Sequence, residues 1–145
     1  MAQISDLLAK KGTDVYTVAP TMTVLDATQL MNRQKVGALV VCQQGRVVGI
    51  FTERDVLRRV VAVEKNPAIT TVAEVMTADV ACATRDTTLE EASAVMKNRR
   101  IRHLPVCDEA GHLQGLVSIG DLNAWEADGQ ETTIHFLSQY IHGRV

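Results

Sequence analysis

Thr23 is followed by apolar residues at Val24, Ala27, Leu30 and Met31, and Thr88 by Leu89, Ala92, Val95 and Met96. Apolar positions recurring every three or four residues predict one buried helical face in each place. Both stretches open on a capping signal: Thr88 with Glu91 is a standard capping box, and Thr23 with Asp26 an approximate one. The period then changes. Two short runs of β-branched and apolar residues, 37–42 and 46–52, flank Gln43-Gln44-Gly45 and predict a hairpin, and 102–107 with 112–118 repeat the arrangement. A second helix is predicted after each hairpin, over 53–64 and 119–127, and a short leading strand before each unit, over 15–18 and 80–83. Each unit therefore reads β-α-β-β-α. Outside the units lie an apolar segment at 4–10, its counterpart at 72–76, and a tail. In the tail Ile134, Leu137, Tyr140 and Ile141 form a helical stripe, which is expected either to pack on its own chain or to form a dimer contact.

The two units are copies of one another. Val15, Thr23, Ala27, Met31 and Cys42 recur as Val80, Thr88, Ala92, Met96 and Cys107, each 65 positions later. One extra residue in the loop 108–111 then raises the offset to 66, which pairs Gly45, Gly49 and Asp55 with Gly111, Gly115 and Asp121. A register held this long marks internal duplication. A unit of this size buries little surface alone, so the expected fold is α/β (α+β), with tandem β-α-β-β-α repeats packed sheet to sheet about a pseudo-two-fold axis. The expected division is 1–68 for the first repeat with its N-terminal segment, 69–128 for the second, and 129–145 for a C-terminal helical tail.

Composition narrows the function. The 145 residues are 46% hydrophobic, enough for a packed core, and the formal net charge of −2 argues against a broad basic surface for nucleic acid. No apolar run approaches the roughly 18 residues of a membrane span, and 1–11 lacks the layout of a secretory signal, so a cytoplasmic location is expected. Cys42, Cys82 and Cys107 are odd in number and widely spaced, as reduced thiols would be. No nucleophile–base pair, P-loop or dinucleotide-binding glycine motif stands out, so no catalytic residue is expected.

The repeated feature with chemical content is Gly49-Ile50-Phe51-Thr52-Glu53-Arg54-Asp55, matched by Gly115-Leu116-Val117-Ser118-Ile119-Gly120-Asp121. A hydroxyl at a helix N-terminus lies where free N–H groups favour an anion, and a carboxylate three residues on can accept the hydroxyls of a ribose. The same spacing is also that of an ordinary capping box. Two such segments, each after the same strand order, resemble the ribose-phosphate motif of cystathionine-β-synthase (CBS) domain pairs, and the resemblance covers roughly residues 4 to 127. It implies a disc-like, non-catalytic regulatory module, with two clefts between the repeats that bind AMP, ADP, ATP, or sometimes NAD or S-adenosylmethionine.

Carried over by position, the resemblance places Thr52 and Asp55 in one cleft and Ser118 and Asp121 in the other. Arg54 of the first copy is replaced by Gly120, whereas Arg102 and His103 stand where the first copy has Gly37 and Ala38. The clefts should therefore be unequal, with Arg54 marking one copy and Arg102 with His103 the other. The guanidiniums are candidates for phosphate and His103 for a pH-sensitive donor. The alternative for Arg99, Arg100 and Arg102 is a solvated basic face. Thr17 falls at the family's hydroxyl position at the pocket edge, where the second copy has Cys82, and Thr84 and Pro105 complete the implied nucleotide-binding set. No metal or obligatory cofactor is implied beyond the adenine nucleotide ligand. A homodimer is expected, signalling to a separate effector protein. The main alternative is a dimerisation or interaction module with no nucleotide. A weaker one is a redox or zinc role for Cys42 and Cys107 with His103 or His112, against which both thiols read as small buried apolar groups.

Overall fold

The computed structural model describes residues 1–128. The stripe on Ile134, Leu137, Tyr140 and Ile141, and the tail division 129–145, lie outside the described residues. The first repeat contains strand β1 (Thr17–Val18), helix α2 (Val24–Gln34), strands β2 (Ala38–Gln43) and β3 (Arg46–Thr52), and helix α3 (Glu53–Val56), which runs into a π-helical turn at Leu57–Val61. The second contains α5 (Leu89–Arg99), β4 (His103–Cys107), β5 (Leu113–Ser118) and α6 (Ile119–Asp128). Helix α1 (Ile4–Lys11) and the short α4 (Val72–Val75) precede the two repeats.

Local chemistry accounts for these boundaries. The Thr23 hydroxyl accepts the Asp26 N–H at 3.2 Å, while Thr88 and Glu91 close a full capping box. Helices α2 and α5 end on Lys35 and Arg100, both left-handed at φ 55°, a conformation that glycine adopts more cheaply. In the first hairpin Gln44 and Gly45 both have positive φ, the two-residue turn whose twist matches its strands. In the longer second turn the Asp108 carboxylate accepts the N–H groups of Ala110 and His112 at 3.0 and 2.8 Å.

Two expectations are corrected. The helix predicted over 53–64 is α-helical only to Val56, widens into the π turn, and gives way by Glu64, whose φ is 60°. Within that turn Val60 enters the core while Arg59 reaches the carbonyls of Val75 and Met76 at 3.2 and 2.9 Å. The strand predicted over 80–83 is reduced to a single parallel bridge, Ala83 to Val106, the counterpart of Val18 beside Val41 in the parallel pairing of β1 with β2.

The hydrogen bonds express the two-fold relation directly. Val47 N–H donates to the Gly111 carbonyl and Leu113 N–H to the Gly45 carbonyl, at 3.1 and 3.2 Å, and Arg46 bridges His112, its own equivalent. Reciprocal bonds between equivalent residues are what a two-fold axis requires, and the three-stranded sheet β1-β2-β3 meets the β4-β5 sheet there.

The leading segments cross over. Gln3 bridges Thr88 while Thr71 bridges Thr23, so α1 lies on the second repeat and α4 on the first. Ile4, Leu7 and Leu8 are buried in the core with Ala92, Met96, Leu104 and Val117, whereas Val72 and Val75 join Val24, Leu39 and Phe51. Each repeat thus completes its core with the segment that precedes the other. Glycine permits the close contact at both seams: a Cβ on Gly49 would lie 3.0 Å from the Thr77 carbonyl oxygen, and one on Gly115 2.9 Å from Leu8.

Thr77 cannot retreat without breaking its paired backbone bonds to Ile50, at 2.9 and 3.0 Å. Gly49→Ala is therefore expected to destabilise the protein by about 1–3 kcal/mol, and Leu8→Ala by about 2–5 kcal/mol. Urea unfolding followed by far-ultraviolet circular dichroism measures both; an unchanged midpoint for Gly49→Ala would refute the close-contact account.

Candidate functional site

A cavity of about 380 Å³ opens where the first repeat's β3–α3 junction faces the second repeat. It collects Thr52, Arg54 and Asp55 from one repeat and Arg102 and His103 from the other, and residues around Thr77 and Val80 form part of its wall. Five of the ten residues expected at the nucleotide sites thus meet here. Arg54 and Arg102 with His103, expected to mark separate copies, face the same space because the cavity straddles the two repeats.

Asp55 is the buried carboxylate of this site, 6% exposed. Its Oδ2 accepts the Thr52 N–H at 3.0 Å and lies 3.3 Å from the Thr52 hydroxyl, and the Asp55 N–H donates to that hydroxyl at 3.3 Å. The Thr77 hydroxyl donates to Oδ1 at 3.4 Å, and Arg59 Nε stands 3.8 Å from the same oxygen. The motif is thus a working capping box that leaves one face of Thr52 and Asp55 on the cavity wall. The capping reading of the spacing is realised, and the same two side chains stand where the ribose-phosphate reading would need them.

The rest of the lining is strongly basic. Arg54 Nη1 donates across the repeats to the Arg100 carbonyl at 3.4 Å, and Arg58, Arg59 and Arg99 complete a set of six guanidiniums with Arg102. Arg99, Arg100 and Arg102 are exposed, as a solvated face would be, yet they also line the cavity. Burial holds His103 below the usual histidine pKa, and the neighbouring Arg102 charge adds to the effect against the opposing pull of Asp121 and Glu53. Its imidazole is therefore neutral near pH 7, one nitrogen a donor and the other an acceptor.

The second motif keeps the cap and changes everything around it. Ser118 N–H donates to Asp121 Oδ2 at 2.8 Å and Asp121 N–H to the Ser118 hydroxyl at 3.0 Å. The same carboxylate holds Lys11 Nζ at 2.6 Å, and Lys11 also donates to the Leu116 carbonyl at 2.7 Å. Burial pushes the Asp121 carboxyl up, but the Lys11 ammonium and the Ser118 N–H outweigh it and hold the pKa below its ordinary value. Arg54, Arg58 and Arg59 are replaced here by Gly120, Ala124 and Trp125. Asp121 faces a smaller cavity of about 220 Å³ with Leu7, Lys10, Ala124, Trp125 and Asp128, in which Lys10 pairs with Asp128 and lies 5.6 Å from the Trp125 ring. Ser118 does not line it.

Thr17, Thr84 and Pro105 line neither cavity. Thr17 pairs with Val40 in β1, Thr84 N–H donates to the Thr87 hydroxyl at 3.1 Å, and the buried Pro105 offers its carbonyl to Ala83 N–H at 2.8 Å. Sequence reasoning missed Arg58 and Arg59, although they follow Arg54 and Asp55 by one helical turn. It also missed Lys11, for which no local signal exists, because only the crossing of α1 brings it to Asp121.

Among the described residues no group of three or more His, Cys, Asp or Glu side chains is placed to hold a metal ion. Burial raises the Cys42 thiol, and burial together with the nearby Cys82 pushes Cys107 up to about 12, which disfavours thiolate chemistry. Nor is any helix among these residues long and apolar enough to cross a membrane.

Comparison with known proteins gives the same duplication. The family model described as CBS domain matches residues 4–62 and again 72–128. The CBS domain-containing protein YhcV of Bacillus subtilis is 36% identical over 122 residues, 84% of this chain and 84% of that protein. The crystal structure of the CBS-domain containing protein ATU1752 from Agrobacterium tumefaciens superposes with a TM-score of 0.78 at 36% identity, covering 86% of this chain and 98% of that one. The domain pair of protein MJ0100, solved with 5′-methylthioadenosine and S-adenosyl-L-methionine, shares the fold with a TM-score of 0.78 at 20% identity, over 89% and 98% of the two chains.

The Lys11–Asp121 pair makes a pH-dependent contribution. A carboxyl whose folded pKa lies below its unfolded value stabilises the fold above the unfolded pKa, and that stability is lost as pH falls through the folded pKa. Lys11→Met should therefore cost roughly 1 kcal/mol near neutral pH, and its gap from the native protein should close as the pH drops through the carboxylate range. Urea titrations at several pH values measure this. A gap independent of pH would assign the loss to packing of the lysine stem instead.

Proposed function

Since the chain belongs to the CBS-domain family, we propose that it is a regulatory module with no catalysis of its own, which binds an adenine nucleotide in the cavity bearing Thr52 and Asp55. The observation that carries the reading is that this cavity draws its walls from both repeats and sets a hydroxyl and a carboxylate beside a cluster of guanidiniums. The adenosyl ligands named for MJ0100 support it. A ligand touching both repeats biases their relative packing, so occupancy can be passed to a separate effector protein. The proposal includes a homodimer, for which Leu57 and Val61, one turn apart and 61% and 62% exposed, offer an apolar surface. The Ser118–Asp121 cleft is the weaker site, because Lys11 already occupies its carboxylate.

The capping role of both aspartates favours a second reading, an interaction module that binds no nucleotide. Thermal unfolding with AMP, ADP, ATP and NAD separates the two. A ligand at a hundred times its Kd adds about 2.7 kcal/mol, a shift of several degrees. Asp55→Asn keeps an oxygen for the Thr52 N–H but removes the charge, and should weaken nucleotide binding more than about tenfold. Asp121→Asn should lower the melting temperature while leaving the nucleotide-induced shift in place. If no nucleotide moves the melting temperature, or if Asp55→Asn lowers it equally with and without nucleotide, the interaction module is the correct reading.

A further inference from the structure

The two cavities differ in how far they satisfy their own charges. The smaller one sets Lys10 and Lys11 against Asp121 and Asp128, so its formal charges cancel. The larger one sets Arg54, Arg58, Arg59, Arg99, Arg100 and Arg102 against only Glu53, Asp55 and Asp79, which leaves an excess of three positive charges with His103 neutral. Arg59 is engaged by Asp55, and Arg99 stands 3.9 Å from Asp79. Arg54, Arg58, Arg100 and Arg102 have no carboxylate within 4.0 Å among the described residues.

These four guanidiniums come from both sides of the cavity, Arg54 from α3 and Arg58 from the π turn of the first repeat, and Arg100 and Arg102 from the second. Arg100 adopts its left-handed conformation with a full side chain where glycine would relieve the backbone. A monophosphate brings about two negative charges, and each further phosphate brings about one more. A monophosphate therefore leaves part of the excess uncompensated, whereas a diphosphate or triphosphate matches it.

We infer that this cavity selects its ligand by charge, taking a nucleotide with two or more phosphates in preference to a monophosphate, a neutral nucleoside or a cationic adenosyl compound, and taking one per chain. The inference rests on the reading of the cavity as a nucleotide site and adds the class of nucleotide to it. Because the arginines are exposed and screened, the preference is graded: each added phosphate tightens binding several-fold, and a triphosphate exceeds the monophosphate by about tenfold or more.

Isothermal titration of the full chain with adenosine, AMP, ADP and ATP, without divalent cations and at fixed salt, tests the charge ladder, and inorganic tripolyphosphate tests the charge alone. The expected result is affinity rising in that order, a stoichiometry of one per chain, and a ladder that shrinks as salt is raised. Arg100→Gly should leave the free protein as stable as before or more so, yet lower the ATP-to-AMP ratio of affinities about threefold or more. AMP binding as tightly as ATP, a stoichiometry of two, or an Arg100→Gly ratio equal to that of the native protein would overturn the inference while leaving the nucleotide reading standing. Tripolyphosphate binding with no nucleotide binding would overturn the nucleotide reading and, with it, the inference that rests on it. If none of these ligands binds, both fall.

Discussion

Neither repeat buries its own apolar face. Leu7 and Leu8 belong to the core of the second repeat, and Val72 and Val75 to that of the first, so the two cores are closed by exchanged segments. This exchange is the constraint on which the rest of the molecule depends. It forces the repeats to fold as one unit, because each alone would expose buried leucine or valine and lose about 1.5–3 kcal/mol for every such side chain. It also sets the cavity at the seam: the chain leaving α4 runs through Thr77 to Ala81 between the repeats, in contact with Asp55 on one side and along the cavity wall on the other. A ligand there would touch the segment that leads out of α4, one of the two exchanged elements.

On that nearly symmetric scaffold the two motifs are set apart by a few substitutions and by the π turn at Leu57–Val61, where the second copy continues as an α-helix. Both copies build the same capping box with the same donors and acceptors, Thr52 with Asp55 and Ser118 with Asp121. What differs is the partner of each carboxylate. Asp121 receives Lys11 from α1, whereas the register that matches Gln3 with Thr71 puts Asp79 opposite Lys11, a carboxylate in place of an ammonium. Arg54, Arg58 and Arg59 have become Gly120, Ala124 and Trp125. One cleft has turned into a self-neutralised seam that contributes stability, and the other keeps an unbalanced positive field.

The duplication, the hairpins and the helix starts were legible in the sequence because each has a local cause. Thr23 and Thr88 cap, Gln44-Gly45 turns, and the single added residue near Asp108 moves the offset from 65 to 66. The π turn was not legible, since nothing local in Leu57–Val61 separates it from an α-helix; its shape goes with Val60 in the core and Arg59 on two carbonyls at the end of α4. Only half of the expected residues meet in one cavity for the same reason. Thr52 and Asp55 carry their motif with them, but the convergence of Arg54 with Arg102 and His103, and the arrival of Lys11 at Asp121, are products of the exchange and of the pseudo-two-fold axis. Thr17, Thr84 and Pro105 are implied by the family resemblance alone, and here they serve backbone pairing and a local turn.

The unbalanced cavity has a thermodynamic corollary. Guanidiniums gathered without matching carboxylates repel one another, and Arg100 adds a left-handed backbone conformation that costs roughly 1 kcal/mol or more for a residue with a side chain. Both costs fall on the free protein, and an anion relieves only the first of them. The free state is therefore less stable than the scaffold allows, and under the proposed function an anion would restore part of the difference at the seam where the repeats are joined. A sensor needs such an arrangement, because a site already satisfied in the free state, as Asp121 is by Lys11, has little energy left to couple ligand to conformation.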